Sequence, residues 1–166
     1  MALLTIDDAT EADVPVIAAI HAAVAEDLTR RYGEGHWSRA ATDNGVQRTL
    51  QSARLIVARD GDVVVGTLTL ATKKPWAIDV QYFTPVSKAL YLTGMAVDPS
   101  RQKSGIGSRL LIEAVGIARA WPAHAIRLDA YDAAAGAGEF YAKCGFDQRG
   151  RAIYRGTPLI YYERLL

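Results

Sequence analysis

The stretch Val97–Leu111, VDPSRQKSGIGSRLL, decides how the rest of the chain is read. It follows an apolar run, Ala89–Val97, with the length and composition of a buried strand. It leads into a pattern whose apolar residues fall at Ile106, Leu110, Ala114, Ile117 and Trp121, a spacing of three and four that makes one stripe along a helix. Between strand and helix lie Gln102, Lys103, Ser104, Gly105, Ile106 and Gly107. A helix that starts after such a turn leaves its first backbone N–H groups without intrahelical acceptors. Glycine lets an anion approach that backbone, because no Cβ stands in the way. The helix dipole favours a negative group there by ~0.3–2 kcal/mol. The local chemistry is that of a phosphate site; the plain alternative is a glycine turn that merely starts a helix.

Two nucleotide motifs fail at this position. The Walker pattern needs Gly, four residues, then Gly-Lys-Ser/Thr, and the chain has no such run. The dinucleotide fingerprint needs a third glycine three residues after Gly107, where Leu110 stands.

Composition narrows the class. The chain has 166 residues, half of them apolar, with a net charge of +1, which predicts one soluble domain spanning residues 1–166 with a substantial core. That charge argues against a nucleic-acid-binding surface. The N-terminus lacks a secretion signal, and no apolar run is long enough to span a membrane, so a cytoplasmic protein is expected. A single cysteine, Cys144, excludes an internal disulfide and a multi-cysteine metal site, and His21, His36 and His124 are too scattered to suggest a metal.

Taken in order, Leu3–Ile6 predicts a first strand. Thr10 and Asp13 resemble a capping pair for a helix running to about Arg31, with Val16, Ile17, Ile20, Ala23, Val24 and Leu28 on its buried side. A loop at Gly33–Trp37 precedes a second helix, capped by Asn44. Strands follow at Arg54–Arg59 and Val63–Thr72, joined at Asp60-Gly61, with Gly66 as a bulge or a point of close packing. A polar and aromatic connection, Lys73–Ser87, leads to the strand Ala89–Val97 and the long helix. Ile126–Tyr131 predicts a strand, Ala135–Cys144 a helix, and Phe146–Arg151 and Leu159–Leu165 two closing strands. The expected fold is α+β, a mixed and mostly antiparallel sheet flanked by helices on both faces.

Val-Asp-Pro followed by Gln-x-x-Gly-x-Gly at the mouth of an amphipathic helix resembles the acetyl-CoA-binding segment of the GCN5-related N-acetyltransferase (GNAT) family. A second element, Glu139-Phe140-Tyr141-Ala142-Lys143-Cys144-Gly145-Phe146, resembles the family's FYxKxGF ending. The resemblance covers Ala89–Phe146 well and the flanks only in element order. It implies that the backbone amides around Gln102, Lys103, Ser104, Gly105, Ile106, Gly107 and Ser108 hold the pyrophosphate of coenzyme A, with Arg101 and Lys103 near the phosphates. It implies two parallel strands, Ala89–Val97 and Ile126–Tyr131, that splay around the pantetheine arm. A bulge at Gly94 would aim the Met95 N–H at the thioester carbonyl, while Val97 pairs with pantetheine. A donor already aimed at a developing oxyanion contributes roughly 3 kcal/mol of barrier lowering.

By the same resemblance Tyr141 is the general acid. A thiol titrates near ~8.5 and a tyrosine near ~10, so a neutral tyrosine can donate to a leaving thiolate at neutral pH. The chain departs from the family pattern twice: Tyr91 stands where many members carry an acidic base, and Ala134 stands where many carry an asparagine. The base is therefore open, with Glu26, Asp27, Asp79 and Asp129 as candidates. His36 and Trp37 are candidates to face the acceptor, and Cys144 is expected to be buried packing. The strand around Pro158–Glu163 is a candidate to line the acceptor side or to form a homodimer contact.

The function implied is acetyl transfer from acetyl-CoA to a primary amine of a small molecule or peptide, with no metal, nucleic acid or membrane involved. The rival readings are an acyl-CoA sensor without catalysis and a plain nucleotide-binding domain.

Overall fold

In the computed structural model, which describes residues 3–166, the elements follow the predicted order. The strands are β1 (Leu4–Asp8), β2 (Arg54–Asp60), β3 (Val63–Ala71), β4 (Ala89–Val97), β5 (Ala125–Tyr131), β6 (Asp147–Tyr154) and β7 (Thr157–Leu165). The helices are α1 (Val14–Tyr32), α2 (Asp43–Ser52), α3 (Ile106–Ala120) and α4 (Gly138–Lys143). The strands form one mixed sheet in the order β1-β2-β3-β4-β5-β7-β6. The β1–β2, β2–β3, β5–β7 and β6–β7 ladders are antiparallel, and β4–β5 is parallel. This is the α+β fold the sequence predicts.

The chain divides into two compact units. The first holds the residues up to Leu70 together with Thr93–Glu113; the second holds Ala71–Leu92 and Ala114–Leu166. In the first, Ile17 and Ile20 of α1 pack with Val46 of α2, Leu55 and Val57 of β2, Val64 of β3 and Ala96 of β4. β2 and β3 turn over Gly61 and Asp62, with Gly61 at φ +62°, where glycine carries no Cβ penalty. The ladder slips one residue between Ala58 and Arg59, opposite Gly66. A Cβ on Gly66 would lie 3.0 Å from Leu110 Cδ1, 3.2 Å from Ile106 Cγ2 and 3.3 Å from the Ala96 carbonyl. Both expectations for this glycine are therefore met: it flanks the bulge, and it lets the start of α3 lie close on the strands.

The second unit is organised around a buried ion pair. Arg127 of β5 and Glu163 of β7 are directly opposite in the ladder, and Arg127 Nε donates to Glu163 Oε2 at 3.0 Å. Arg127 also donates to the Tyr91 hydroxyl (3.3 Å) and the Thr84 carbonyl (2.6 Å), while Glu163 Oε1 accepts from Thr84 N–H at 3.2 Å. The Tyr161 hydroxyl donates to the Ala77 carbonyl and accepts from Asp79 N–H. These bonds satisfy buried polar groups that would otherwise be costly, and they pin the long connection between β3 and β4 to β5 and β7.

Several local expectations are corrected. The Thr10 amide donates to Asp13 Oδ2 at 2.8 Å as anticipated, but the cap opens a 3-10 turn, Glu11–Asp13, ahead of α1. Helix α2 is capped by Thr42, whose hydroxyl accepts from Gly45 N–H at 3.1 Å, not by Asn44. The buried stripe of α3 runs Ile106, Leu110, Ala114, Ala118, with Leu111 and Val115 beside it; Ile117 and Trp121 are only half-buried, because 3.6 residues per turn carries the stripe past them. Helix α4 starts at Gly138, not Ala135. A Cβ on Gly136 would sit 1.9 Å from the Tyr131 carbonyl, so the preceding residues form a tight turn that only glycine fits. Cys144 is half-buried. No helix of the described residues is long and apolar enough to cross a membrane.

Candidate active site

In the first unit the segment from β4 to α3 has an unusual backbone. Gly94 sits in the middle of β4 at φ +58°, and it and Thr93 are exposed within a strand that is otherwise largely buried. An extended strand cannot hold a residue in the left-handed region without a local kink. The chain therefore changes direction one residue before Met95. The parallel ladder pairs Ala89, Leu90 and Tyr91 with Ala125, Ile126 and Arg127, three pairs between strands of nine and seven residues.

Beyond β4 the chain turns twice. Asp98 N–H donates to the Val65 carbonyl at 2.9 Å, and Asp98 Oδ1 accepts from Ser100 N–H at 2.9 Å, which starts the 3-10 turn Pro99–Arg101. The Gln102 side-chain amide donates to the Val97 carbonyl at 3.2 Å, and the Ser104 hydroxyl donates to the Arg101 carbonyl. Lys103 lies at φ +63° and Gly105 at φ +86°. A lysine in that region costs about 1–3 kcal/mol, and such strain is common where a backbone is shaped for a ligand.

The turn is open to solvent, and nothing lies within 4 Å of a Cβ placed on Gly105. Among the described residues, the N–H groups of Lys103, Ser104, Gly105, Ile106 and Gly107 donate to no protein acceptor, and Arg109 N–H donates to the Gly105 carbonyl at 3.1 Å. Unpaired, exposed amides at the start of a fifteen-residue helix fit a phosphate group. The glycine leaves the room that group needs. Arg101 departs from its expected role. Its guanidinium is tied to Asp60, whose second carboxylate oxygen is buried without a partner.

The structure thus brings Met95, Val97, Gln102, Lys103, Ser104, Gly105, Ile106, Gly107 and Ser108 into one continuous segment of the first unit. Behind the kink stands a residue that motif reading passed over. A Cβ on Gly94 would lie 3.6 Å from Thr69 Oγ1, 3.8 Å from His21 Cε1 and 3.9 Å from His21 Nε2. His21 belongs to α1, half-buried, and its pKa is lowered by burial. Its only sequence signal is a polar residue one helical turn after Ile17 on the buried side of an amphipathic helix.

In the second unit Tyr141 is 8 % exposed, in edge contact with Phe140 and Phe146 and in tilted contact with Tyr162. Its hydroxyl makes no hydrogen bond among the described residues. Burial pushes its pKa well above the ordinary tyrosine range, and the neighbouring Asp129 carboxylate adds to that. The phenol therefore keeps its proton throughout the neutral range. Gly138 permits the close approach of α4 to β7, because a Cβ there would meet the Tyr162 hydroxyl at 2.4 Å.

The open question of the base narrows. Tyr91 is a buried acceptor for Arg127 and thus structural. Asp27 is paired with Arg30 and Arg31, and Asp79 caps a 3-10 turn through Gln81 N–H at 3.0 Å. Glu26 is exposed. Asp129 alone of the four is half-buried without a protein partner among the described residues, and burial raises its pKa. Trp37 Nε1 donates to the Gly33 carbonyl at 2.9 Å and closes its own loop. His124 meets Ser87 Oγ at 3.1 Å through Nδ1. Among the described residues no group of three or more His, Cys, Asp or Glu is arranged to hold a metal.

Comparison with known proteins identifies the class. The sequence matches the Acetyltransferase (GNAT) family over residues 21–146, so this chain belongs to that family. Among solved structures it is similar to a GCN5-related N-acetyltransferase from Rhodopseudomonas palustris, with TM-score 0.76 and 22 % identity, covering 100 % of this chain and 98 % of that one. It is similar to a ribosomal-protein-alanine N-acetyltransferase from Brucella melitensis, with TM-score 0.72 and 20 % identity over 98 % and 99 % of the two chains. A structure from Salmonella typhimurium with its cofactor acetyl-CoA has TM-score 0.69 and 19 % identity, over 98 % and 94 %. At these identities the likeness speaks for the fold. No curated protein matches significantly.

Proposed function

We propose that this protein is an acetyl-CoA-dependent N-acetyltransferase that acts on a primary amine of a small molecule or peptide by direct transfer. The observation that carries the reading is the backbone from Gly94 to Gly107, exposed at Gly94 and again at Gln102–Gly105, kinked in mid-strand and ending in a turn of unpaired amides. Family membership supplies the cofactor class.

Bound acetyl-CoA supplies an activated acetyl thioester and a thiolate leaving group. The amides of Lys103–Ser108 hold its pyrophosphate, with Lys103 offering a nearby positive charge. The main chain at Val97 pairs with the pantetheine arm, and the Met95 N–H donates to the carbonyl oxygen. Tyr141 gives its proton to the departing sulfur. Its raised pKa keeps that proton in place at working pH and makes the hydroxyl a hydrogen-bond donor more than a strong acid. Positioned proton transfer of this kind is worth ~10²–10⁴ in rate.

The test is calorimetric titration with acetyl-CoA of the native protein and of Ser104→Glu and Gly105→Glu, which set a carboxylate in the turn. Saturable binding that both variants lose supports the cofactor site. An amine screen read by free-thiol release then identifies the acceptor. Binding without turnover on any amine would favour an acyl-CoA sensor, and no binding at all would remove the reading. If 3′,5′-ADP competes as well as the whole cofactor, the site recognises only a nucleotide.

A further inference from the structure

We propose that His21 accepts the proton of the attacking amine, and that the acceptor nitrogen is received in front of Gly94, between the His21 imidazole and the Thr69 hydroxyl. The inference rests on the reading above, in which Met95 holds the thioester carbonyl. It deepens that reading by naming a base on α1, which no sequence motif marks.

Three observations carry it. First, the missing side chain at Gly94 opens a small space whose nearest atoms are Thr69 Oγ1, His21 Cε1 and His21 Nε2, at 3.6, 3.8 and 3.9 Å from where a Cβ would be. Two polar groups thus face one exposed point of β4, immediately before the amide assigned to the carbonyl. Second, the imidazole makes no hydrogen bond or ion pair among the described residues, although it is half-buried in a helix face otherwise filled by Ile17, Ala18, Val24 and Ala25. A polar ring kept on an apolar face with no protein partner has its bonding capacity free for a ligand. Third, the imidazole is neutral at neutral pH. The charged groups on the elements packed against α1 are Glu11 and Asp13 before it, Asp43 and Arg48 on α2, Arg54, Arg59 and Asp60 on β2, and Arg101 after β4, with His36 in the following turn; β3 and β4 carry none. None of these governs its ionisation; burial alone lowers it.

In the step itself the amine lone pair forms the new C–N bond, the C–S bond breaks, the amine proton passes to His21 Nε2, and the sulfur leaves with the proton from Tyr141. Solvent then takes the proton from His21 and restores that of Tyr141. Thr69 Oγ1 orients the amine by accepting or donating one hydrogen bond.

Two measurements test this. The His21 ring resonances of the native protein are followed by NMR during titration with acetyl-CoA and, separately, with 3′,5′-ADP. The expected result is a shift with acetyl-CoA and none with 3′,5′-ADP. A bound cofactor that leaves the ring unmoved overturns the proposal, whereas absence of binding overturns the proposed function with it. The second measurement compares His21→Gln and Asp129→Asn in pH–rate profiles on the amine with fastest thiol release. His21→Gln should bind acetyl-CoA normally, lose on the order of 10²-fold in kcat, and lose the acid limb of the profile. An acid limb that survives His21→Gln but vanishes in Asp129→Asn assigns the base to Asp129 instead. The NMR arm uses the native chain, so a variant that fails to fold does not decide the matter.

Discussion

The two units of this protein use polar groups in opposite ways. In the first, the turn Lys103–Gly107 leaves its amides unpaired, and the unit's ion pairs Arg101–Asp60 and Arg59–Asp13 are only partly buried. In the second, Arg127 and Glu163 are 6 % and 1 % exposed and every bond they make holds protein to protein. A backbone amide can serve a ligand only while the fold does not need it. The unit that offers its amides is therefore built from apolar packing and modest surface pairs, while the other secures a long connection with a network too dry to release.

That contrast can be broken at several points. Glu163→Ala strikes the buried network and leaves Arg127 uncompensated in the core. A loss of about 3–5 kcal/mol is expected from removing one partner of a buried pair, read by urea unfolding. A loss below 1 kcal/mol would mean that the network is less dry than its burial indicates.

Tyr141→Phe removes a hydroxyl that bonds to no protein group among the described residues. Stability should hold or rise slightly, while kcat falls by ~10²–10⁴. Equal activity in Phe and Tyr enzymes would remove the tyrosine from the chemistry. A large loss of stability would mean that the hydroxyl serves the fold after all.

Asp13→Asn probes the partly buried pair of the first unit. Arg59 donates to both Asp13 oxygens, at 2.9 and 2.7 Å, and holds the carboxyl below its ordinary pKa; the Thr10 amide adds to this, against the opposing effect of burial. A depressed pKa means that the pair stabilises fully above the unfolded value, near ~3.9, and that this is lost as pH falls through the lower folded value. The variant should cost about 1–3 kcal/mol at neutral pH, and the difference from native should vanish in acid. A difference that is constant with pH would exclude the ion pair as its cause.

The smallest effect is expected at Thr42→Ala, which removes the α2 cap and should cost ~0.5–2 kcal/mol. Cofactor affinity should be unchanged, since α2 is remote in sequence from the turn. Asn44→Ala beside it should do much less, because its side chain caps nothing.

Most of the element order was legible because it rests on local physics. Hydrophobic period, Gly61 after Asp60, and the apolar run before Asp98 all act within a few residues, and the turn of unpaired amides is written in Lys103–Gly107. Where local reading erred, at the start of α4 and the cap of α2, a single glycine contact or a neighbouring threonine outweighed average propensity. Tyr141 and the pyrophosphate turn were named from a resemblance carried by contiguous residues.

What only the tertiary structure decided are relations between residues far apart in the chain. Arg127 and Glu163 lie in separate apolar runs of the sequence, and only the β5–β7 register sets them opposite one another. Tyr91, which stands where many family members carry an acid, is tied through its hydroxyl to Arg127, a contact between distant elements. His21 had no motif, because what distinguishes it is the absence of a side chain on Gly94, on another element. Sequence by itself determined the elements and the glycine turn before α3, since backbone conformation and helix dipole are local properties. Which polar side chains are consumed by the fold and which are left for chemistry depended on packing and register, because desolvation and hydrogen-bond pairing are set by neighbours in space.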